Sequence, residues 1–460
     1  VLANYQNFNF YTDDHNDLVI KKNIKSLEDW NFVLYTKIFD FLNLKIPRKN
    51  IKVQNSQNEK FLKIKKNIFK NFIKRTIYFV LSFLISPNSF FIYKPDLRFF
   101  ENLKLQLKMG QVPAIYNEVR YKKAKKNFKI RDEISFKIKG GSKVEKFIRS
   151  ILPDLLPTNV IENYEYLDKL INKQRWPNQP KAIFTSYAYC GDDVFQMWLA
   201  KKVEKGTKYF LAQHSGNHIT GKQTLREPGF DTCDKFVSWG KKGNNKCIPF
   251  FNTKNISIYN NFNNEGKKIY FFAPRMCSRR TKPYDDYGEM IRENIKLQKI
   301  LKGIHNNLQN NIILKLYPTV LEDRKFEKKI LDEIVFKNKK YKMDSPYTLK
   351  KSIFNKSRII VHLSDGTGIL ETLSANIPCV FIMPNLNLIR KDVKKDFESL
   401  VKAKILFFNS RDLTEHINDY YFNIEKWWKN KEVVKVKKIF CEKYCNPAPI
   451  DYLDKFKILF

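Results

Sequence analysis

Two polar loops, each directly after an apolar run, contain the residue types best suited to chemistry. In the first loop His214 follows the run Tyr209–Ala212, and Gln213, Ser215 and Gly216 lie beside it. A histidine at the carboxyl end of a strand can act as a general base or bind phosphate. The alternative is a hydrogen-bonded imidazole with a purely structural role. This loop is therefore a candidate acceptor-side site with His214 as its reactive group.

The second loop follows an apolar run that ends at Leu363 and precedes a helix-forming stretch. It consists of Ser364, Asp365, Gly366, Thr367 and Gly368. Backbone amides at a helix N-terminus attract phosphate, glycines let a ligand approach closely, and hydroxyl groups can donate to it. Glu371 lies one helical turn beyond Thr367, within reach of a ribose or sugar hydroxyl. The alternative is a plain strand-turn-helix in which Ser364 or Asp365 caps the helix.

Two further cations follow predicted strands. Arg275 comes after the run that ends at Phe272, and Lys315 stands at the end of the run that begins at Ile312. Arginine suits phosphate and carboxylate, because its planar guanidinium donates two parallel hydrogen bonds. The sequence shows no Walker phosphate loop, nucleophile elbow, HExxH or DxD metal motif, and the spaced pair Cys441 and Cys445 is interpreted as two thiols on a helix face. No metal site is predicted.

These loops need strands to position them, and short apolar runs alternate with helical stretches from about residue 180 onward. This alternation is typical of parallel sheets with crossover helices. Strands are predicted at 181–186, 209–213, 235–239, 268–272, 312–316, 358–363, 378–383 and 404–408, and helices at 192–205, 285–307 and 323–336. Ligands of such folds bind outside the carboxyl ends of the strands. We therefore expect both polar loops to open on one cleft.

The domain plan follows from the same pattern. We predict a mainly helical, basic N-terminal region, two α/β domains, a polar linker between them and a C-terminal tail. Their bounds are 1–145, 146–245 for the first (acceptor-side) domain, 246–265 for the linker, 266–440 for the second (nucleotide-donor) domain, and 441–460. In the N-terminal region a helix is predicted from the capping residue Ser26 to Leu42, and a basic amphipathic helix at 61–75. The second helix can pack on a neighbouring domain or lie on an anionic membrane.

Composition excludes several classes of protein. With 460 residues, 43% hydrophobic and 15% aromatic, the chain can bury large cores and is not a low-complexity or disordered protein. The formal net charge of +38 comes from 85 Lys plus Arg against 47 Asp plus Glu, but only sixteen of the basic residues are Arg. Because nucleic-acid readout relies on Arg forks and clustered motifs, we expect no nucleic-acid partner.

Three features bear on the compartment. The seven cysteines are odd in number and scattered, which favours a reducing environment. The longest apolar run, Ile77–Ile85, is too short for a transmembrane helix, which needs about 20 residues. No signal peptide is visible, and because the chain begins without Met we expect its true start to be missing. A cytoplasmic protein is predicted, with peripheral contact at the inner face of the membrane as a further option.

The order of these motifs resembles a family of transferases of bacterial surface-carbohydrate biosynthesis, and more broadly the GT-B glycosyltransferases and sugar-nucleotide epimerases. The chain is similar, at a greater distance, to capsule glycosyltransferases and CDP-glycerol polymer transferases. The residues that carry the resemblance are Trp30–Leu42, Phe184–Ser186, Asp193–Ala200, Gly206, Gln213–Gly216, Cys233–Gly240, Lys315–Pro318 and Ser364–Pro378. The family usually has Gln-His-Gly-Gly, where this chain has Ser215 in place of the first glycine, and Lys241 interrupts a Trp-Gly-Trp motif.

The resemblance implies a GT-B-like α/β fold of two Rossmann-like, doubly wound domains that face a cleft. It further implies an enzyme that transfers a sugar or related unit from a nucleotide-activated donor to a surface-glycan, lipid-linked or protein acceptor, without a metal or a separate cofactor. Carried over by position, His214 would be the base or the leaving-group contact. The loop 364–368 would hold the donor phosphates, and Glu371 the sugar or ribose.

Two other functions stay open at this point. One is a nucleotide-sugar epimerase or hydrolase of the same fold, which needs no acceptor. The other is a non-enzymatic protein whose basic surface binds nucleic acid or another anionic surface, with an affinity that falls steeply with salt.

Overall fold

The protein, seen in a computed structural model, forms two compact units. The first unit comprises Val1–Phe61, Glu118–Gln174 and Arg279–Tyr287, and the second comprises Leu62–Asn117, Arg175–Ser278 and Gly288–Phe460. The structure describes all residues except 1–9, 13–33, 35–36, 45–47, 51–75, 77–79, 82, 117, 120, 123, 134–139, 190, 223–227, 242–244, 257, 259–264, 273–286, 316–340, 346–347 and 364–365.

The described part of the first unit contains a short parallel strand pair and three named helices. The strands are Phe10–Thr12 and Arg48–Asn50, and the helices are Phe128–Glu133, Lys143–Leu155 and Tyr164–Asn172. Ser142 begins the middle helix with a capping box, because its side chain accepts from the Glu145 amide while the Glu145 carboxylate accepts from the Ser142 amide.

A buried ion pair holds the first unit together. The Arg131 guanidinium donates to both carboxylate oxygens of Glu162, at 2.6 and 2.8 Å, and only 2% of Arg131 and 5% of Glu162 is exposed. Arg131 also donates to the carbonyl of Leu156. Burial raises the pKa of Glu162, but the hydrogen bonds from Arg131 and the Asn127 amide outweigh it and leave this pKa below its usual value.

The predicted helix at 26–42 lies mostly outside the described residues, as does the predicted basic helix at 61–75. Where the structure describes the first of them, residues 37–41 are helical and Phe39 is buried. The helical period puts Leu42 on the apolar face of the predicted helix, yet this side chain is exposed. The helix ends before Leu42, and Asn43 takes a left-handed conformation with φ 56°. Phe41 stacks on Phe147 with ring centroids 4.3 Å apart.

The second unit contains two parallel sheets. The first sheet has the order β1-β2-β3-β4-β5, so that among its described strands the order follows the chain. Its strands are β1 (Phe91–Ile92), β2 (Ala182–Thr185), β3 (Lys208–Ala212), β4 (Lys235–Ser238) and β5 (Cys247–Pro249). Helices α1 (Phe99–Lys108) and α2 (Asp193–Val203) follow β1 and β2, with short helical turns at Asn217–Thr220 and Pro228–Thr232.

The second sheet has the order β8-β7-β6-β9-β10-β11, with every pair parallel. Its strands are β6 (Lys268–Phe272), β7 (Ile312–Lys315), β8 (Lys342–Asp344), β9 (Ser357–His362), β10 (Cys379–Ile382) and β11 (Leu406–Phe407). The strand order reverses between β6 and β9, as in the Rossmann fold, and ligands bind at such a reversal. We therefore expect a ligand site just beyond the carboxyl ends of β6 and β9, whose last residues, Phe272 and His362, pair in register.

Helices follow the strands of this sheet and link it to the C-terminus. They are α3 (Tyr287–Gly303), α4 (Lys350–Lys356), α5 (Thr367–Ser374), α6 (Lys394–Lys402), α7 (Ser410–Tyr420), α8 (Ile424–Trp428), α9 (Lys431–Tyr444) and α10 (Tyr452–Leu459), with 3-10 turns at Thr253–Asn255 and Asn306–Asn311. The middle of β9 and the whole of β10 are apolar and buried, as expected where both faces of a parallel sheet are covered.

The last residues of the chain, from Ala448 onward, pack on the first sheet. Phe456 of α10 lies in a buried cluster with Ile92, Phe184 and Val237, and its ring contacts Phe250 at 4.9 Å between centroids. The later part of the predicted tail 441–460 therefore contributes to the core of the first sheet, whereas Lys443 and Tyr444 bind Asp396 of α6.

The predicted fold class of two parallel, helix-flanked sheets in a GT-B-like plan is confirmed, and the eight predicted strands are all present. Three strands of these two sheets were missed, β1, β5 and β8, as were the strands Phe10–Thr12 and Arg48–Asn50 of the first unit. Each has only two or three residues, too few to show a period, and β8 reads Lys-Met-Asp. The predicted helix 285–307 is observed as α3, and the one predicted at 323–336 lies outside the described residues. The domain bounds stay predictions, although the first sheet takes β1 from within 1–145 and β5 from within 246–265.

Candidate functional site

The loop that leaves β9 lies at the reversal of strand order. Gly366 is the N-cap of α5 and has extended backbone; being glycine, it has no side chain to accept from the first-turn amides of the helix. Thr367 and Gly368 form the first turn of this helix. The predicted site residues Ser364, Asp365 and Arg275 lie outside the described residues.

A buried histidine at the end of β9 packs against the first turns of α5. The ring of His362 is 4% exposed, and burial lowers its pKa to about 3, so that the imidazole is neutral. Thr372 Oγ1 donates to the Gly368 carbonyl at 2.7 Å and therefore accepts from His362 Nε2, 3.0 Å away. A Cβ at Gly368 would lie 3.0 Å from His362 Cε1. A larger residue at this position would fit only if the His362 ring moved, so glycine is favoured where helix and strand meet.

Glu371 is paired with a lysine that the sequence analysis did not single out. Lys350 Nζ lies 2.7 Å from Glu371 Oε2 and 3.2 Å from Asn255 Oδ1. Asn255 Nδ2 in turn donates to the Glu371 carbonyl. Glu371 is held in place by residues from the turn Thr253–Asn255, which follows the first sheet. Lys350 could have been suspected only from its place before a buried strand, since nothing in its neighbourhood resembles a motif.

His214 contacts an acid from the loop after β1. Its Nδ1 lies 2.6 Å from Asp96 Oδ2, and the ring of Tyr187 packs against the imidazole with centroids 4.7 Å apart. Lys254 Nζ lies 3.6 Å from the same oxygen of Asp96. The side chain of His214 is 31% exposed and that of Asp96 19%. Both Asp96 and Lys254 fall in stretches where the sequence showed no motif, so spacing alone could not reveal them.

Gln213 shapes the histidine loop. Its side chain accepts from the Trp239 amide at 2.8 Å and donates to the Ser215 carbonyl at 3.0 Å. The residue is 1% exposed. Gln213 therefore links the loops that follow β3 and β4. Because it is buried, it stabilises the conformation of the histidine loop rather than contacting a ligand.

The two polar loops predicted from the sequence touch each other. The Gly216 amide donates to Thr367 Oγ1 at 3.2 Å. A Cβ at Gly216 would lie 3.3 Å from Leu370 Cδ1 and 3.4 Å from Thr367 Cα, so a small residue is favoured there. The carboxyl end of the first sheet therefore meets the N-terminus of α5 at this point.

A second bridge lies beside this contact. Gly221 pairs with Ile389, and Arg390 donates from its guanidinium to the Ile219 carbonyl at 3.1 Å. Arg390 is itself paired with Asp392. The segment that follows the histidine loop is thus fixed to the second sheet along several residues.

Lys315 lies at the same edge of the second sheet but is engaged elsewhere. It pairs in register with Phe272, and its Nζ donates to the Ser345 carbonyl beyond β8. Burial lowers the pKa of Lys315, while the nearby Asp344 acts in the opposite direction. The structure places Lys315 on the far side of β6 from His362, away from the loop that touches Gly216.

A family model described as LIC12162 family transferase matches residues 1–455 of the chain. The chain belongs to this family. Its members are transferases by that description, and the two loops that meet at Gly216 and Thr367 are the candidate place for the transfer.

Three solved structures resemble this family member in fold. The wall teichoic acid polymerase TagF is 9% identical, with a TM-score of 0.41 over 85% of this chain and 96% of its own. MurG of Acinetobacter baumannii is 9% identical, with a TM-score of 0.38 over 81% and 99%. TarM is 14% identical, with a TM-score of 0.37 over 66% and 58%. The comparison with curated proteins gave no match.

Two features are absent from the described part of this transferase. No helix there is long and apolar enough to cross a membrane. Within the same residues no three His, Cys, Asp or Glu side chains come together in a way that could hold a metal ion.

Cys441 and Cys445, predicted as thiols on a helix face, are buried free thiols with sulfur atoms 3.6 Å apart, the first in α9 and the second just after it.

Proposed function

We propose that this transferase is a GT-B-like glycosyltransferase, which moves a sugar or related unit from a nucleotide-activated donor to a surface-glycan, lipid-linked or protein acceptor. The observation that supports it most is the hydrogen bond between the Gly216 amide and Thr367 Oγ1. It brings a histidine loop and a helix N-terminus together at the strand-order reversal of a Rossmann-like sheet. A base and an anion-binding group are the two parts that such a transfer needs.

In this proposal the donor binds to the second sheet. The first-turn amides of α5 and the Thr367 hydroxyl meet the diphosphate, since helix N-termini favour negative charge. Ser364, Asp365 and Arg275 would complete the phosphate site. Glu371, already oriented by Lys350, would accept from a ribose or sugar hydroxyl. The proposal uses no metal ion, because these donors stabilise the charge on the departing phosphate.

The acceptor enters from the first sheet. His214 takes the proton of the acceptor hydroxyl as its oxygen attacks the activated carbon of the donor. A new carbon–oxygen bond forms, the bond to the phosphate oxygen breaks, and the electron pair leaves on the nucleotide diphosphate. The exposed fraction of the His214 ring, 31%, leaves room for an acceptor.

We also propose a cytoplasmic location, where nucleotide-activated donors are used. Cys233, Cys379, Cys441 and Cys445 are free thiols, which supports a reducing compartment. Peripheral contact with the inner face of an anionic membrane is compatible with the net charge of +38.

The test is a turnover assay with nucleotide-activated sugars, with and without a glycan or lipid-linked acceptor fraction, scored by release of the nucleotide. We expect release that depends on the acceptor, a loss of about 10²-fold or more in kcat for His214→Ala, and unchanged donor binding. His305→Ala, which alters an exposed histidine, is the matched control. Retained turnover in His214→Ala would remove the assignment of the base. An altered sugar or free sugar formed from the donor alone would make the enzyme an epimerase or hydrolase.

A further inference from the structure

We propose that Asp96 is the positioning residue that orients His214, and that Lys254 holds Asp96 in place, so that Asp96, His214 and Lys254 act as one unit. This inference rests on the proposed function only for the role of His214 as a base. The orientation of the ring is a property of the protein without substrate.

The contact fixes the tautomer of the histidine. A carboxylate can only accept hydrogen bonds, so at 2.6 Å from Asp96 Oδ2 the proton of the neutral ring lies on Nδ1 of His214. Nε2 then presents its lone pair and can take a proton. The Tyr187 ring packs on the imidazole and limits its rotation. Without Asp96 either nitrogen could bear the proton, and part of the base function would be lost to the wrong tautomer or orientation.

The loop that presents Asp96 has an unusual backbone. Lys94 has φ 45° and Asp96 has φ 54°, a left-handed conformation that costs energy in residues other than glycine. Such conformations persist only where the surroundings impose them, and they cluster at functional sites.

Contacts on one side of this loop impose its conformation. Asp192 caps α2 by accepting from the Phe195 amide, and its other oxygen accepts from Tyr93 Oη at 2.6 Å and from Lys94 Nζ at 3.0 Å. Asp192 is 4% exposed. The loop is therefore anchored to the start of a helix just before Asp96.

Lys254 holds the other side. Its Nζ lies 3.6 Å from the same Asp96 oxygen and 5.8 Å from the centre of the Trp239 ring. The lysine comes from the turn Thr253–Asn255, whose backbone is fixed because Asn252 Oδ1 accepts from the Lys254 amide. Asp96 therefore keeps a cationic partner while His214 is neutral and faces two cations once His214 is protonated.

The proton path follows from this arrangement. The acceptor hydroxyl passes its proton to Nε2 of His214, while the Nδ1 proton stays in its bond to Asp96. The charge that forms on the ring is stabilised by the carboxylate 2.6 Å away. When the product leaves, Nε2 returns its proton to water. Asp96 makes no contact with substrate in this scheme.

Two measurements test the inference. Nitrogen-15 NMR of the histidine rings, recorded without substrate, reports which nitrogen of His214 is protonated; the signal is assigned by its loss in His214→Gln. We expect the Nδ1–H tautomer in the wild type and the loss of this preference in Asp96→Ala. Turnover of Asp96→Asn should fall about 10²-fold in kcat, at the low end of the contribution of acid–base catalysis, with an unchanged KM for the donor.

Variants of similar chemistry make the outcome specific. Asp96→Glu should recover part of the lost kcat, and Lys254→Gln should lower kcat less than Asp96→Asn does. Asp234→Asn is the matched control, since Asp234 accepts from the Tyr209 amide in the same sheet and lies outside the site.

The outcomes separate this inference from the proposed function. If the wild type shows Nε2–H, or if Asp96→Asn keeps full kcat in an active transferase, the orienting role of Asp96 is overturned. If Asp96→Ala changes the tautomer but no glycosyl transfer is found with any donor, the proposed function fails while the orientation of His214 by Asp96 stands.

Discussion

Acidification should lower the opening free energy of the second sheet, because His362 is buried there in its neutral form. Burial lowers the pKa of this histidine from 6.5 to about 3. Below pH 6.5 the unfolded chain binds a proton that the folded protein excludes, so stability falls as the pH drops from 6.5 towards 3. At pH 5.0 the proton uptake of the unfolded state alone removes about 2 kcal/mol relative to pH 7.5, at 1.36 kcal/mol per pKa unit.

The assay is amide hydrogen exchange of peptides that cover β9 and α5, at pH 7.5 and 5.0 and corrected for intrinsic rates. In the wild type we expect the opening free energy to fall with pH, and His362→Gln to remove about 2 kcal/mol of that fall. His416 acts in the same direction, because burial first, and then the charge of Lys404, lowers its pKa to about 4. Its contribution remains in the His362→Gln variant.

His305→Gln is the control, since this histidine of the same half of the protein is exposed and should leave the pH dependence unchanged. The reasoning is refuted if His362→Gln shows the full wild-type fall in opening free energy, or if that fall is equally removed by His305→Gln.

Two further predictions concern other contacts. Arg131→Met should lower the free energy of unfolding by about 3–5 kcal/mol, because it leaves Glu162 buried without its charged partner. Lys208→Met, at an exposed ion pair, is the control and should cost less than about 1 kcal/mol. Thermal and urea denaturation measure both effects, and equal losses of stability in the two variants would contradict the prediction. Gly216→Val should weaken nucleotide binding at least about tenfold, because the branched side chain would push on Thr367. Calorimetric titration measures the affinity, and a wild-type value in the variant would contradict the prediction.

Eight strands of the two sheets were predictable because each contains a run of apolar residues. Lys268–Phe272 was placed at its observed bounds, and the helix predicted at 192–205 is observed as α2. Polar residues directly after such runs are positioned by the sheet itself. The sequence pattern alone therefore predicts that the loops of His214 and Thr367 open on one cleft.

The partners of those residues could not be predicted. Asp96 follows a two-residue strand, too short to show a pattern, and Lys254 lies in a stretch that is typical of a linker. Lys350, the partner of Glu371, is one of many lysines. Each comes close to the site through long-range folding, for which the local sequence has no signal. The neutral state of His362 likewise depends on burial from several elements.

The central claim is tested most directly by calorimetric titration of the purified protein with CMP, CDP, UDP, GDP and dTDP. The titration is repeated on the Ser364→Ala, Thr367→Ala double variant, with Ser399→Ala, Thr414→Ala as the control on helices α6 and α7. We predict saturable binding of one nucleotide class, lost in the first double variant and kept in the second. If none of the five nucleotides binds, or if both double variants bind the nucleotide equally well, a donor site at the N-terminus of α5 is contradicted.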